Sequence, residues 1–412
     1  MKVWIKLLIG SILGFTIGFL LPHESQRAVL AMQWLENLAL GIGRYVVVPV
    51  LVFSLTIAVY ELRQNGRFWG FLLKNILLIV FSSAFVIAAG ILTSVLFSLQ
   101  RIPIGMIQQF EALNLETTGN LLELFPSNMF SVFAGDGLFL LPLCVFAFFL
   151  GMGLSYDRNH TKPVISLIDS LSRIFYHIAA FFTEILGFIL IVLAAYWAVR
   201  YHSVLQAGVF NSLIIMLGVF SIVFCFGILP LLLYFLRPKV NPWRALYGFL
   251  GPGLAAFFSG DINFTFPVLA RHLKENLGVR RRSSAVSLSL CVMFCRGGSA
   301  MAAAVGFIVI IMSYSHIQIA PATLVYIGLQ ALLVSVMLAR HPGQGALIAV
   351  AVLCLNYGGG EFRAGYLILK PLAFYLVAVG TFIDVMLSAF ISYVAARTSG
   401  YVTEEKNIAK FI

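Results

Sequence analysis

The chain has 412 residues, 61% of them hydrophobic and 10% charged, with a formal net charge of +11, whereas soluble domains carry about 45–50% apolar and about 25% charged residues. That composition excludes a soluble globular protein. Apolar runs such as Gly70–Phe97 and Asn211–Leu236 lack the period-two alternation of a membrane β-barrel, which leaves transmembrane helices as the way to satisfy the backbone in lipid.

In chain order, the first segment MKVWIKLLIGSILGFTIGFLLP lacks a small-x-small cleavage site and reads as a transmembrane helix, not a signal peptide. Spans are expected at Trp4–Leu21, Ile42–Leu62, Phe71–Leu99, Leu138–Ser155, Ile174–Val199, Asn211–Leu236, Ala285–Met312 and Leu372–Ala395. Two further apolar segments, Leu246–Leu269 and Thr323–Leu355, are broken in the middle by SGDIN (Ser259–Asn263) and ARHPGQG (Ala339–Gly345). The first is basic on both sides: Arg237, Lys239 and Arg244 precede it, and Arg271, Lys274 and Arg280 to Arg282 follow. Since Lys and Arg accumulate on the cytoplasmic side of short loops, both of its ends are expected there, as in a re-entrant hairpin.

The same rule places Lys2, Lys6, Arg63, Arg67, Arg158, Lys162, Arg397, Lys406 and Lys410 inside, and the acidic loop Gln100–Asp136 outside. Both termini are therefore expected in the cytoplasm. By parity the second broken segment enters and leaves on the outer side. Read against this topology, the basic excess gives no separate patch for nucleic acid, and none is expected to bind. Non-helical backbone at membrane depth is tolerated where it is buried in protein or lines a cavity. Two opposed breaks thus suggest a midplane site in a secondary transporter; the bland alternative is that Gly and Pro merely kink the helices.

Several motifs then carry a resemblance. Gly43–Leu62 (GRYVVVPVLVFSLTIAVYEL), Leu124–Ser155, the run from FTFPVLARHLKENLGV through LCVMFCRGGSAM, and PGQGA at Pro342–Ala346 together resemble the dicarboxylate/amino acid:cation symporter family, also called the glutamate transporter family. The resemblance implies an all-α polytopic fold of eight transmembrane helices and two opposed re-entrant hairpins, assembled as a homotrimer in a cell membrane of the bacterial inner-membrane type. It implies no enzyme activity. Residues 1–240 are expected to be mainly scaffold, with spans three and six joining the moving part; residues 241–398 form the transport core, and 399–412 a cytoplasmic tail. Substrate contacts carried over by position are Ser259, Asp261, Asn263 and Thr265 at the first tip, Arg340, Pro342, Gly343 and Gly345 at the second, and Asp384 and Ser388 in span eight.

The functional motifs depart from the family pattern. In span seven the family's sodium-binding Asn-Met-Asp-Gly-Thr falls on Cys295, Arg296, Gly297, Gly298 and Ser299. Hard cations want oxygen ligands, so sodium coupling through this coupling-ion region of Arg296, Gly298, Ser299 and Asp384 is doubtful. In span eight the family's anion-binding Arg is replaced by Leu387, which removes the bidentate partner of a second carboxylate. Asp384 remains to hold an amino group.

Charged side chains in a membrane require a partner or water. Arg296 is expected to pair with Asp384 as a tethered substitute for the coupling ion, unless one of the two faces an aqueous cavity alone. Desolvation favours the neutral carboxylate, so Asp261, Asp384 or Glu184 are candidates for proton coupling, with Glu184 equally readable as an interhelical polar contact. His341 is a candidate pH-sensitive gate. Gly358, Gly359 and Gly360 read as a flexible outer turn, because no Lys-Ser/Thr follows them. The sequence therefore points to a symporter of a small organic solute such as an amino acid or dicarboxylate, in contact with lipid and with no cofactor beyond sodium or protons. The competing reading is a non-transporting sensor or structural descendant of the same fold.

Overall fold

A computed structural model describes residues 2–21, 26–97, 99–103, 124–126, 128–135, 137–156, 158–236, 241–314, 319–357, 362–403, 408 and 411. Arg237, Lys239, Gly358 to Gly360, Lys406, Lys410 and most of the acidic loop lie outside the described residues. Helices dominate: α1 (Val3–Leu20), α2 (Gln26–Arg44), α3 (Val47–Gln64), α4 (Phe68–Leu96), α5 (Leu141–Gly153), α6 (Arg158–Ala207) and α7 (211–236, with a π turn at Val223–Ile228) come first. Then follow α8 (Pro242–Ser259), α9 (Ile262–Glu275), α10 (Arg281–Phe294), α11 (Gly297–Tyr314), α12 (Pro321–Met337), α13 (Gly345–Asn356) and α14 (Ala373–Thr398).

Among the described residues, eight helical stretches are long and apolar enough to cross a bilayer. They differ from the expected eight at two places. The fourth expected span, Leu138–Ser155, is represented by α5, whose 13 residues begin at a proline-bearing first turn and rise only about 20 Å. Conversely, Pro321–Arg340, expected as one arm of a hairpin, is long enough to count. The fifth span is the middle of α6, a helix of 50 residues.

Both expected breaks are present, each with a local cause. Asn241 caps α8 by accepting from the backbone N–H groups of Trp243 and Arg244, with Pro242 opening the helix where a missing donor is harmless. The helix ends at Gly260, whose φ of 61° is the left-handed conformation that residues with a Cβ avoid. Asp261 then caps α9, its Oδ1 accepting from Asn263 N at 2.7 Å and Phe264 N at 3.1 Å. The second break runs from a 3-10 turn at Leu338–Arg340 to Gly345. Span seven is broken as well: Cys295, at ψ 71°, and Arg296 separate α10 from α11.

Helices α10, α11 and α14 are almost wholly buried, whereas α1, α4 and α12 turn large apolar side chains outward, among them Ile12, Phe81 and Leu333. Contiguous faces of that kind would aggregate in water and are solvated by acyl chains in a bilayer. Lipid offers no hydrophobic drive for helices to associate, so close backbone approach must supply dispersion contact. Helix α1 does this with Gly10, Gly14 and Gly18: a methyl group on any of them would come within 2.4 Å of the carbonyl oxygen of Gly187, Ile191 or Ala195 on α6. At the other end of the chain, Val402 forms an antiparallel bridge with Val279. Arg280 N donates to Tyr401 O and Thr403 N to Gly278 O, tying the residues after α14 to the α9–α10 turn.

Candidate functional site

Four elements converge at the breaks. Thr381 Oγ1 on α14 donates to Gly260 O at 3.2 Å, joining span eight to the first tip. A methyl group on Gly343 would lie 3.5 Å from both Asp261 Oδ2 and Arg44 Nη2, so the second tip sits against the first. Gly345 is similarly close to Ser299 Oγ, at 3.6 Å. The result is a buried centre framed by both tips, the break in span seven and the middle of α14.

Its charges are arranged unequally. Asp384 is fully buried, and its carboxylate receives Gly298 N at 2.6 Å, Ser299 N at 3.3 Å to each oxygen, and Ser299 Oγ at 2.6 Å. These donors open α11, where the unpaired N–H groups of a helix start favour an anion. Asp261 is also fully buried; Oδ1 caps α9, and Oδ2 receives Arg44 Nε at 2.7 Å and Arg44 Nη2. Arg296 is fully buried too, yet none of Nε, Nη1 or Nη2 has a hydrogen-bond partner among the described residues.

The sequence matches the sodium:dicarboxylate symporter family over residues 3–398. The chain belongs to that family. It is also similar to the human neutral amino acid transporter A, at 24% identity over 218 residues. That match covers 53% of this chain and 41% of the relative, so the chain spans about two fifths of the length of the curated relative it matches. Family membership and the long apolar helices make this a multi-pass membrane protein of a symporter family.

Several expected contacts of this symporter-family chain turn inward instead. The Arg296 guanidinium makes no hydrogen bond to Asp384, whose two oxygens turn toward the start of α11. The hydroxyls of Ser259, Thr265 and Ser388 go to nearby backbone: Ser259 Oγ exchanges bonds with the main chain of Asp261, Thr265 donates to Ile262 O and Ser388 to Asp384 O. Ser and Thr in helical surroundings commonly bond back to the preceding turn. Asn263 Nδ2 donates to Leu138 O at 2.9 Å, away from the tips. Arg340 and His341 are half-buried at the second tip, and Pro342 is buried beside them.

The sequence reading missed Arg44. It lies within the second apolar segment, Ile42–Leu62, and a cation there required a partner; that was the available signal. Glu184 falls on the side of its interhelical reading, pairing with Lys6 of α1 and with Arg271 of α9, the latter at 2.8 Å. A further set of charges joins α3 and α6 to the first hairpin and span seven. Arg281 meets Asp169 at 2.6 Å, Arg282 meets Glu61, and Tyr176 donates to Glu275.

Proposed function

We propose that this chain is a secondary active transporter that moves a small organic solute, of the amino acid or dicarboxylate class, across a cell membrane by alternating access. What carries the reading is the convergence of two helix breaks, Gly260–Asp261 and 338–344, on a third break at Cys295–Arg296, with fully buried charges at two of them, Asp261 and Arg296. A closed helix has no free backbone groups at mid-membrane; broken helices expose them toward a site. The two helical pairs α8–α9 and α12–α13 act as opposed hairpins, and together with spans seven and eight they form the moving core. The earlier spans, chiefly two, four and five, serve as the scaffold of a homotrimer with cytoplasmic termini. The human relative is named for neutral amino acids, and a solute of low net charge suits a chain with Leu387 in place of the family's carboxylate-binding Arg.

The coupling ion differs from the family's habit. Sodium would need oxygen ligands at the break in span seven, but Cys295 and Arg296 occupy it and the Asp384 oxygens are held by α11. A buried guanidinium there repels a monovalent cation, so the residues present do not fit sodium. Transport is driven by protons or proceeds by exchange. The test is uptake of pooled labelled amino acids and dicarboxylates into proteoliposomes, with sodium and proton gradients imposed separately. Proton-driven uptake or gradient-free exchange is the expected result. Sodium-driven uptake refutes the coupling assignment, and no uptake by folded protein favours the non-transporting reading.

A further inference from the structure

Arg296 poses a problem of charge and acceptor supply. It is the largest fully buried side chain among the described residues, and its backbone is fixed: the N–H donates to Phe294 O and the C=O accepts from Ala300 N at 2.9 Å. A guanidinium carries five donors and keeps its proton in proteins. Such a group, buried with no acceptor among the described residues, calls for an acceptor from a bound molecule.

The neighbouring acids do not supply it. Asp384 and Asp261 are close enough for their charges to act on Arg296, but neither offers it an oxygen. The first turns both its oxygens to the start of α11, and the other is divided between the start of α9 and Arg44. Gly343 of the second tip lies against Asp261 and Arg44, and Gly345 lies against Ser299, three residues after Arg296, so both tips border the break that carries the guanidinium. There an acceptor-rich anion would complete it.

Geometry narrows the class of anion. A planar guanidinium matches a carboxylate with two parallel N–H···O bonds. Among the described residues Arg296 leaves its fork open, whereas Arg44 is engaged with Asp261, and Leu387, 1% exposed, is the apolar residue standing where span eight of the family has a cation. A second carboxylate on the same solute would be set among Asp261, Asp384 and apolar α14. We infer that Arg296 is the solute anchor, holding the single carboxylate of a small solute at the break in span seven. This deepens the transporter reading and rests on it for the statement that the bound solute is cargo. Because the cation is part of the chain, binding needs no sodium.

The test uses the purified full chain in sodium-free choline buffer. Thermal stability is followed against propionate and L-lactate, against L-alanine and L-serine, against succinate and L-aspartate, and against propionamide as the neutral control. At least one single-carboxylate probe is expected to raise the unfolding temperature saturably, while succinate, aspartate and propionamide do not. Response to alanine or serine alone makes the source an amino acid; response to propionate or lactate makes it a plain carboxylate. Arg296→Lys should weaken the response at least tenfold, and Arg296→Gln should abolish it.

If the variants do not fold, the wild-type chain suffices. The same probe should slow hydrogen–deuterium exchange of the backbone around Arg296, mapped by mass spectrometry. Stabilisation retained in Arg296→Gln, stabilisation by dicarboxylates alone, no response to any probe, or unslowed exchange around Arg296 would each overturn the assignment. Uptake that Arg296→Gln retains removes the anchor and leaves the transporter. Carboxylate binding at Arg296 without counterflow in liposomes removes the transporter and leaves the anchor.

Discussion

Removing Arg44 should injure the protein more than removing its partner. Asp261 is fully buried and the Arg44 side chain is 26% exposed, so the two halves of the pair have different alternatives. Arg44→Gln leaves the fully buried carboxylate without its hydrogen-bonded cation, at a cost of about 3–5 kcal/mol for breaking a buried pair. Asp261→Asn leaves an arginine that reaches solvent and an amide oxygen that still caps α9, since Asn caps about as well as Asp. The loss is then about 1–2 kcal/mol. The double variant Arg44→Gln/Asp261→Asn should match Asp261→Asn alone, about 3–5 kcal/mol short of the sum of the single losses. Reversible unfolding of purified protein in mixed micelles reads all four corners of the cycle. Equal single losses, or additive ones, would refute the assignment of Asp261 as a charge held by Arg44.

Other substitutions separate close packing from open surface. Gly298→Ala puts a methyl group 2.6 Å from Gly380 O and from Ile383 Cβ; α11 and α14 must part, and a loss of about 1–3 kcal/mol is expected, whereas Gly70→Ala meets nothing within 4 Å and should leave the unfolding midpoint unchanged or slightly raised. Ser299→Ala removes the 2.6 Å bond to Asp384 and should cost about 1.5–3 kcal/mol in the same unfolding assay. Glu184→Gln should cost at most about 1 kcal/mol, because Glu184 is 38% exposed. Its difference from wild type should shrink in 0.5 M salt, where exposed charges are screened.

Long apolar runs and their punctuation were legible because each follows from local chemistry. Gly260, the Asn241-Pro242 start and the Pro342–Gly345 turn mark their breaks in the sequence itself, and the structure has breaks there. The short α5 was not legible, since hydropathy extends beyond both ends of the helix. Pairing at the site was legible only in part. The charges that need partners can be read from composition, but which partner each takes depends on where the helix ends fall. Asp384 meets the start of α11 and not Arg296, and Asp261 meets an arginine 217 positions earlier in the chain. The Gly10, Gly14 and Gly18 spacing stood in the sequence as a small-residue stripe, yet nothing in α1 alone indicates that its partner is α6.

The bridge between Val279 and Val402 makes the last described stretch a handle. Because Arg280 and Gly278 hold Tyr401 and Thr403 by backbone bonds, a fluorophore or spin label attached at Thr403 shares the coordinates of the first hairpin and of spans seven and eight. Paired with a second label on the exposed face of α6, at Leu167, it turns displacement between the two groups of helices into a distance measured without touching a residue of the buried centre.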